Sequence, residues 1–263
     1  MCGFLFESKK MRFSIITCTL NGEKYLENCL KSIASQTFKN YEVIIIDGYS
    51  KDETDEILSR YKAKLDLKIY KERAKGISAA MNEGIRRAKG DYVIHLHSDD
   101  SFFDGNVLTD TDKFLNRMDN PDWIYGKINV VEGDGQEVGI FPERKIFQAS
   151  FPWLLKFFNY IPHQSVFIKK SIFNKFGMFD ETLKIKMDYD LWLRLARVTN
   201  FKFYNRIISS FRIHNQATSS SIANKKLNNQ MLDKMRIKHL TKTENTLVKI
   251  VDKFVGVTNK MYR

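Results

Sequence analysis

The chain has 263 residues, 43 Lys and Arg against 31 Asp and Glu for a formal net charge of +12, and 43% hydrophobic content. Ordinary hydrophobicity with four prolines excludes a disordered or collagen-like chain, and no short repeat supports a coiled coil or solenoid. The length allows one large domain or two small ones.

Residues 1–10 precede Met11 and read as an extension without the apolar stretch of a signal peptide. Apolar runs at 12–17, 41–47, 67–71 and 92–96 then alternate with segments of helical period, the pattern of strand-helix-strand crossovers on a parallel sheet. Tyr25, Leu26, Cys29, Leu30 and Ile33 share one helical face, with Asn21 placed as its N-cap. Thr54, Ile57, Leu58 and Tyr61 mark a second helix, and Ile77, Ala80, Met81, Gly84, Ile85 and Ala88 a third. After Ser101 the rhythm changes to a helix, strands at 123–131 and 137–141 around a turn at 133–135, and a strand near 165–168. A mixed sheet is expected there. A helix over about 188–198, a strand at 211–214 and a Ser-rich loop at 218–221 follow.

The charge is concentrated at the end of the chain. Residues 224–263 hold ten basic and three acidic side chains, a net of +7 that leaves +5 for the body. This segment reads as amphipathic helix with Leu247, Ile250, Val251 and Phe254 on one face. It suits an anionic membrane surface, or packing on the body or a second subunit. Cys2, Cys18 and Cys29 are odd in number and lack C-x-x-C spacing, so they support neither a disulfide framework nor a cysteine zinc site and point to a reducing, cytoplasmic compartment. No apolar run reaches the ~20 residues of a spanning helix.

Ligands of an open parallel sheet bind beyond the carboxyl ends of its strands. Those ends carry Thr17, Asp47 and the run Ser98-Asp99-Asp100. No G-x-G-x-x-G follows the first strand and no Walker A sequence occurs, which disfavours a dinucleotide or P-loop site. A nucleotide site without a phosphate-cradling glycine loop needs another way to neutralise its phosphates. Adjacent carboxylates at a strand end can supply it by binding a hard divalent cation. An Asp-Asp pair alone equally starts a turn or caps a helix.

The pair is accompanied by SIITCTLNGEKYL at 14–26, SIASQT at 32–37, EVIIIDG at 42–48, KGISAAMNEG at 75–84, HSDD at 97–100, PHQS at 162–165, FGMFDE at 176–181 and DYDLWLR at 188–194. In this combination and order, over residues 12–215, the chain resembles the family 2 glycosyltransferases, and among them the bacterial members that build O-antigen, capsule and other exported polysaccharides. The resemblance implies an α/β GT-A fold: a Rossmann-like mixed sheet flanked by helices, with a C-terminal helical extension. It divides the chain into a nucleotide-sugar-binding half at 11–101, an acceptor-binding and catalytic half at 102–223 and the basic region at 224–263. It also implies a nucleotide-sugar donor, favouring UDP, a divalent metal (Mn²⁺ or Mg²⁺), inversion at the anomeric carbon and a lipid-linked saccharide acceptor.

Carried over residue by residue, the resemblance places Asp47 on the base, with the backbone near Thr17 and the side chain of Glu23 bordering the nucleoside, and Arg73, Lys75 and Asn82 on the donor side. Ala74 stands where the family often has an acid. Asp99 then meets the ribose and Asp100 the metal, with His97 in place of the family's first acid. His214 is an additional metal or diphosphate ligand. Arg212, His163 and Gln164 contact substrate. Asp188 is the base that deprotonates the acceptor hydroxyl, with Met187 where the family has glutamate, and Asp190 is the second candidate. Each has a plainer reading: Asp47 as a turn residue, Asp188 as a helix cap, His97 and His214 as structural histidines. Two rival functions are a nucleotidyltransferase, which lacks its glycine-rich triphosphate loop, and a basic nucleic-acid-binding protein. The latter needs exposed aromatics interleaved with basic residues, whereas the aromatic-rich 151–161 holds one Lys and no Arg.

Overall fold

The first strand shows how the layers form. In β1 (Phe13–Thr19), Phe13 and Ile15 point into one apolar cluster and Ile16 and Cys18 into another, so both sheet faces are covered. The computed structural model describes residues 10–73, 76–148, 150–214 and 224–255, apart from the side chains at 224–229, 236 and 251–255. Helices α1 (Leu26–Ala34), α2 (Thr54–Lys62) and α4 (Val107–Arg117) cover one face. Helices α3 (Ile77–Arg87), α5 (Lys170–Phe176) and α6 (Met187–Leu195) cover the other.

Strands β2 (Tyr41–Asp47), β3 (Leu67–Lys71) and β4 (Tyr92–His95) join β1 in parallel. The remaining strands are β5 (Ser101–Phe102), β6 (Trp123–Glu132), β7 (Glu137–Phe141), β8 (Val166–Lys169) and β9 (Phe201–Ile213). The sheet runs β3-β2-β1-β4-β8-β6-β9-β5, with β7 on β6. β8 is antiparallel to β4 and β6, and β9 returns parallel to β6, so the expected α/β mixed sheet is present.

Several local expectations change. β1 continues to Thr19, two residues past Thr17. Asn21 does not cap α1, whose cap position is Tyr25; it adopts a left-handed conformation and accepts the Lys51 N–H on Oδ1 at 2.9 Å. β9 begins at Phe201, ten residues before the expected strand, because Lys202, Asn205, Arg206, Ser209 and Ser210 mask its alternation. The Ser-rich 218–221 lies outside the described residues.

The basic region forms α7 (Asn224–His239) and α8 (Lys242–Val255). Met235 of α7 is fully buried in the cluster shared with α6, so α7 packs on the body. On α8, Val248 is buried while Leu247 and Ile250 are about half exposed. Among the described residues, no helix is long and apolar enough to cross a membrane.

Candidate active site

The carboxyl ends of β1, β2 and β4 gather two clusters. In the first, the Thr19 carbonyl accepts the Gly48 N–H at 2.9 Å, tying β1 to β2. Asp47 is fully buried; its carboxylate accepts the Ser50 hydroxyl at 2.5 Å and lies 3.9 Å from the Lys71 ammonium. Glu23 accepts the Glu53 N–H, and its own N–H donates to Asp52. The Arg73 guanidinium lies 5.4 Å from the ring centre of Tyr49, a half-exposed residue in a left-handed turn. A flat cation on a flat ring beside Asp47 is a surface on which a planar base can stack.

Two expected residues turn their side chains inward. The Thr17 side chain is buried on the α1 side of β1 beside Cys29. The Asn82 amide is used inside the protein: it donates to the Phe179 carbonyl and Glu181, and accepts the Phe179 N–H at 3.0 Å. It braces α3 against residues 179–181. Lys75 lies outside the described residues.

The second cluster forms where β9 passes the loop after β4. Asp100 is buried and accepts the Arg212 N–H at 3.2 Å. Burial, then the neighbouring Asp99, hold its carboxyl well above the usual range. Asp99 lies 3.0 Å from His214 Nε2. The Arg212 guanidinium donates to the Glu132 and Gly133 carbonyls, and its Nε is buried without a partner. Tyr25 completes the group: Arg212 lies 4.9 Å and His214 5.0 Å from its ring centre. Sequence reasoning placed Tyr25 on a core face, because helical period cannot distinguish a cap residue at the cleft from one beneath it.

Two adjacent carboxylates and an imidazole, one carboxylate buried without a full counter-charge, fit a hard divalent cation. Among the described residues, no three His, Cys, Asp or Glu side chains converge into a metal cage. A cation completed by substrate phosphate oxygens needs no such cage.

A stack of imidazoles leads from this cluster to α6. His97 and His163 are stacked with centres 5.5 Å apart, and His95 lies 5.4 Å from His163. Burial holds His95 down to about 3, lowers His97 and carries His163 well below its ordinary value. All three are neutral at pH 7. Both ring nitrogens of His163 and Nδ1 of His97 are buried without protein partners. Gln164 is fixed through its carbonyl, which accepts the Ser209 hydroxyl at 2.8 Å.

His163 is 6.3 Å from Trp192, one turn along α6 from Asp188. Asp188 sits in the first turn of α6. Burial raises its pKa, against the Tyr189 N–H, the charge of Lys186 and a hydrogen bond from Asn159, a residue with no local sequence signal. Asp190 turns away from this end. It is fully buried and bound by Arg194 at 3.0 Å and by Lys238 and His239 at 2.8 Å each. That makes it an anchor for α7 and removes it as a base.

A Rossmann-like mixed sheet flanked by helices, with paired aspartates after its fourth strand, defines a GT-A fold. Solved structures agree on the fold. Staphylococcus aureus TarS 1–349 in complex with UDP-GlcNAc superposes with a TM-score of 0.72 over 94% of this chain and 73% of that one, at 20% identity. The mannosyltransferase PcManGT of Pyrobaculum calidifontis, in complex with GDP-Man and Mn²⁺, gives 0.64 over 88% and 64%, at 18% identity. The family model "Glycosyl transferase family 2" matches residues 14–176. An uncharacterized glycosyltransferase of Rickettsia typhi is 31% identical over 90% of this chain and 74% of its own length. A PGL/p-HBAD biosynthesis glycosyltransferase of Mycobacterium bovis is 30% identical over 69% and 68%. The chain belongs to glycosyltransferase family 2 and is a glycosyltransferase.

Proposed function

We propose that the enzyme is inverting and metal-dependent, and moves a sugar from a UDP-type donor to a hydroxyl of a lipid-linked oligosaccharide. Its setting is the cytoplasmic face of a bacterial membrane, in synthesis of a surface polysaccharide such as O-antigen or capsule. The observation that carries the reading is the meeting of Asp99 and Asp100 with Arg212 and His214, more than 100 residues apart in sequence, at the strand ends. Structural neighbours holding UDP-GlcNAc or GDP-Man support the donor class. The relative named for PGL/p-HBAD biosynthesis supports a glycoconjugate product.

Asp100 and His214 would hold the metal, which would offset charge on the donor diphosphate, with Asp99 at the ribose. The chain's own groups do the rest. Asp47 accepts the N3–H of the base while Tyr49 and Arg73 lie against its ring. Asp188 takes the proton of the acceptor hydroxyl as that oxygen bonds to the anomeric carbon. The bond from that carbon to the diphosphate oxygen breaks on the opposite face, and its electron pair leaves with the nucleoside diphosphate. Arg212 stabilises the charge developing there. His163 and His97, kept neutral, present ring nitrogens to sugar hydroxyls without adding a positive charge beside Asp188.

The test is transfer from UDP-sugars to a lipid-diphosphate sugar with Mn²⁺. Wild type is expected to turn over, and Asp188→Asn and Asp100→Ala to be defective. Wild-type rates in both variants would overturn these roles.

A further inference from the structure

Two segments of this chain combine a net positive charge with exposed apolar side chains. Residues 142–161 hold three basic side chains and one acidic, and residues 224–263 ten and three; together they carry nine of the twelve net charges. Within the first segment, Phe151 and Trp153 are 44% and 53% exposed with ring centres 6.2 Å apart, and Ile146 is 49% exposed. Within the second, Leu247 and Ile250 of α8 are 51% and 46% exposed.

The two segments touch. Lys156, at the end of the helical turn Pro152–Lys156, pairs with Glu244 in the first turn of α8. Trp153 lies three residues before Lys156, and Leu247 three after Glu244, so both flank this bridge. Glu244 and Val248, four apart on one face, turn to the body. Leu247 and Ile250 stand on the adjoining face, so the apolar arc of α8 is wider than the body covers. A Trp and a Phe next to a half-covered amphipathic helix of the +7 C-terminal region match an interfacial membrane surface: apolar groups enter the acyl boundary and lysines meet anionic headgroups.

We infer that Phe151, Trp153, Leu247 and Ile250 form a docking surface for an anionic lipid bilayer. This deepens the membrane-bound acceptor in the proposed function, but it rests on separate residues and is tested separately.

The full chain is mixed with phosphatidylglycerol-containing vesicles and with vesicles of phosphatidylcholine alone. Co-flotation is expected with the first only, weakening as salt rises. Trp123 and Trp192 are fully buried, so a blue shift of tryptophan emission on binding reports Trp153. The paired variants Phe151→Ser with Trp153→Ser, and Leu247→Ser with Ile250→Ser, are each expected to lower partitioning about tenfold. Because the substituted side chains are exposed, thermal midpoints should hold, and so should transfer to a water-soluble acceptor without vesicles. Absence of flotation, equal flotation with neutral vesicles, or undiminished partitioning of both paired variants would overturn the surface. So would variants that split a dimer while vesicle binding stays unchanged, since the face would then join two copies. Vesicle binding without sugar transfer would uphold the surface while overturning the proposed reaction.

Discussion

Asp188 and Asp100 are both carboxyls whose burial raises their pKa, yet their surroundings direct them to different work. Asp188 has the Tyr189 N–H, the charge of Lys186 and the Asn159 amide as partners, yet burial outweighs them, which favours a proton acceptor. It is basic only when deprotonated, so transfer should rise with pH through its raised pKa. Asp188→Asn should lower kcat by roughly 10²–10⁴-fold with the donor KM unchanged, and should abolish that acid limb in a pH-rate profile. Asp100→Asn keeps an oxygen for the Arg212 N–H and loses only charge. Donor should then stabilise the variant equally with and without Mn²⁺ in thermal unfolding, whereas wild type should gain more with the metal present. The adjacent aspartates were legible because their partnership lies in consecutive residues. Tyr25, Asn159 and the inward turn of Asn82 were not, since side-chain direction at a cap or within a buried face leaves no periodic trace.

Helices and strands are held to the site by a few tight contacts. Gly84, in the middle of α3, costs helix stability relative to alanine, and the packing explains it: a Cβ there would sit 2.3 Å from Ile16 Cγ2 on β1. Gly84→Ala should push α3 off the sheet and destabilise the fold by roughly 1–3 kcal/mol, measured by denaturant unfolding. The second contact is Asp190, which fastens α6 to α7. Burial alone would raise its pKa, but hydrogen bonds from His239 and Lys238 and the charge of Arg194 outweigh it and leave it lowered. The sign follows: its stabilising effect is complete above the unfolded aspartate value of about 3.9 and is lost as pH falls toward the lower folded value. Asp190→Asn should cost about 3 kcal/mol at neutral pH, a gap that narrows on acidification below about pH 4. The element pattern of the first hundred residues was legible almost to the residue, because buried parallel strands and amphipathic crossovers have clear periods. β9 was legible only in its last residues, because its half-covered face mixes Lys, Asn, Arg and Ser with apolar positions.

Taken as one body, the molecule uses its basic end structurally as well as for charge. Met235, Leu240 and Val248 are buried, and Lys238 and His239 cover Asp190. A chain ending at residue 223 would lack all of these side chains and leave Asp190 without Lys238 and His239, so it should unfold at least about 3 kcal/mol more easily, roughly 10 °C lower by calorimetry. Membrane binding is therefore better tested by surface substitutions in the full chain than by truncation. The order of residues was enough to identify the family, the parallel half of the sheet, the paired aspartates and the basic end, since each is written in neighbouring residues or in a short period. Only the folded chain decided that Arg212 and His214 close over Asp99 and Asp100, that Asp190 anchors α7, and which part of the apolar face of α8 remains open. Those outcomes depend on register between strands far apart in sequence: β9 shifts against β6 at Lys127 before its end reaches Asp100. Such a shift arises from packing around Gly126, where a Cβ would meet the Arg206 carbonyl oxygen at 2.7 Å, and local periodicity does not encode it.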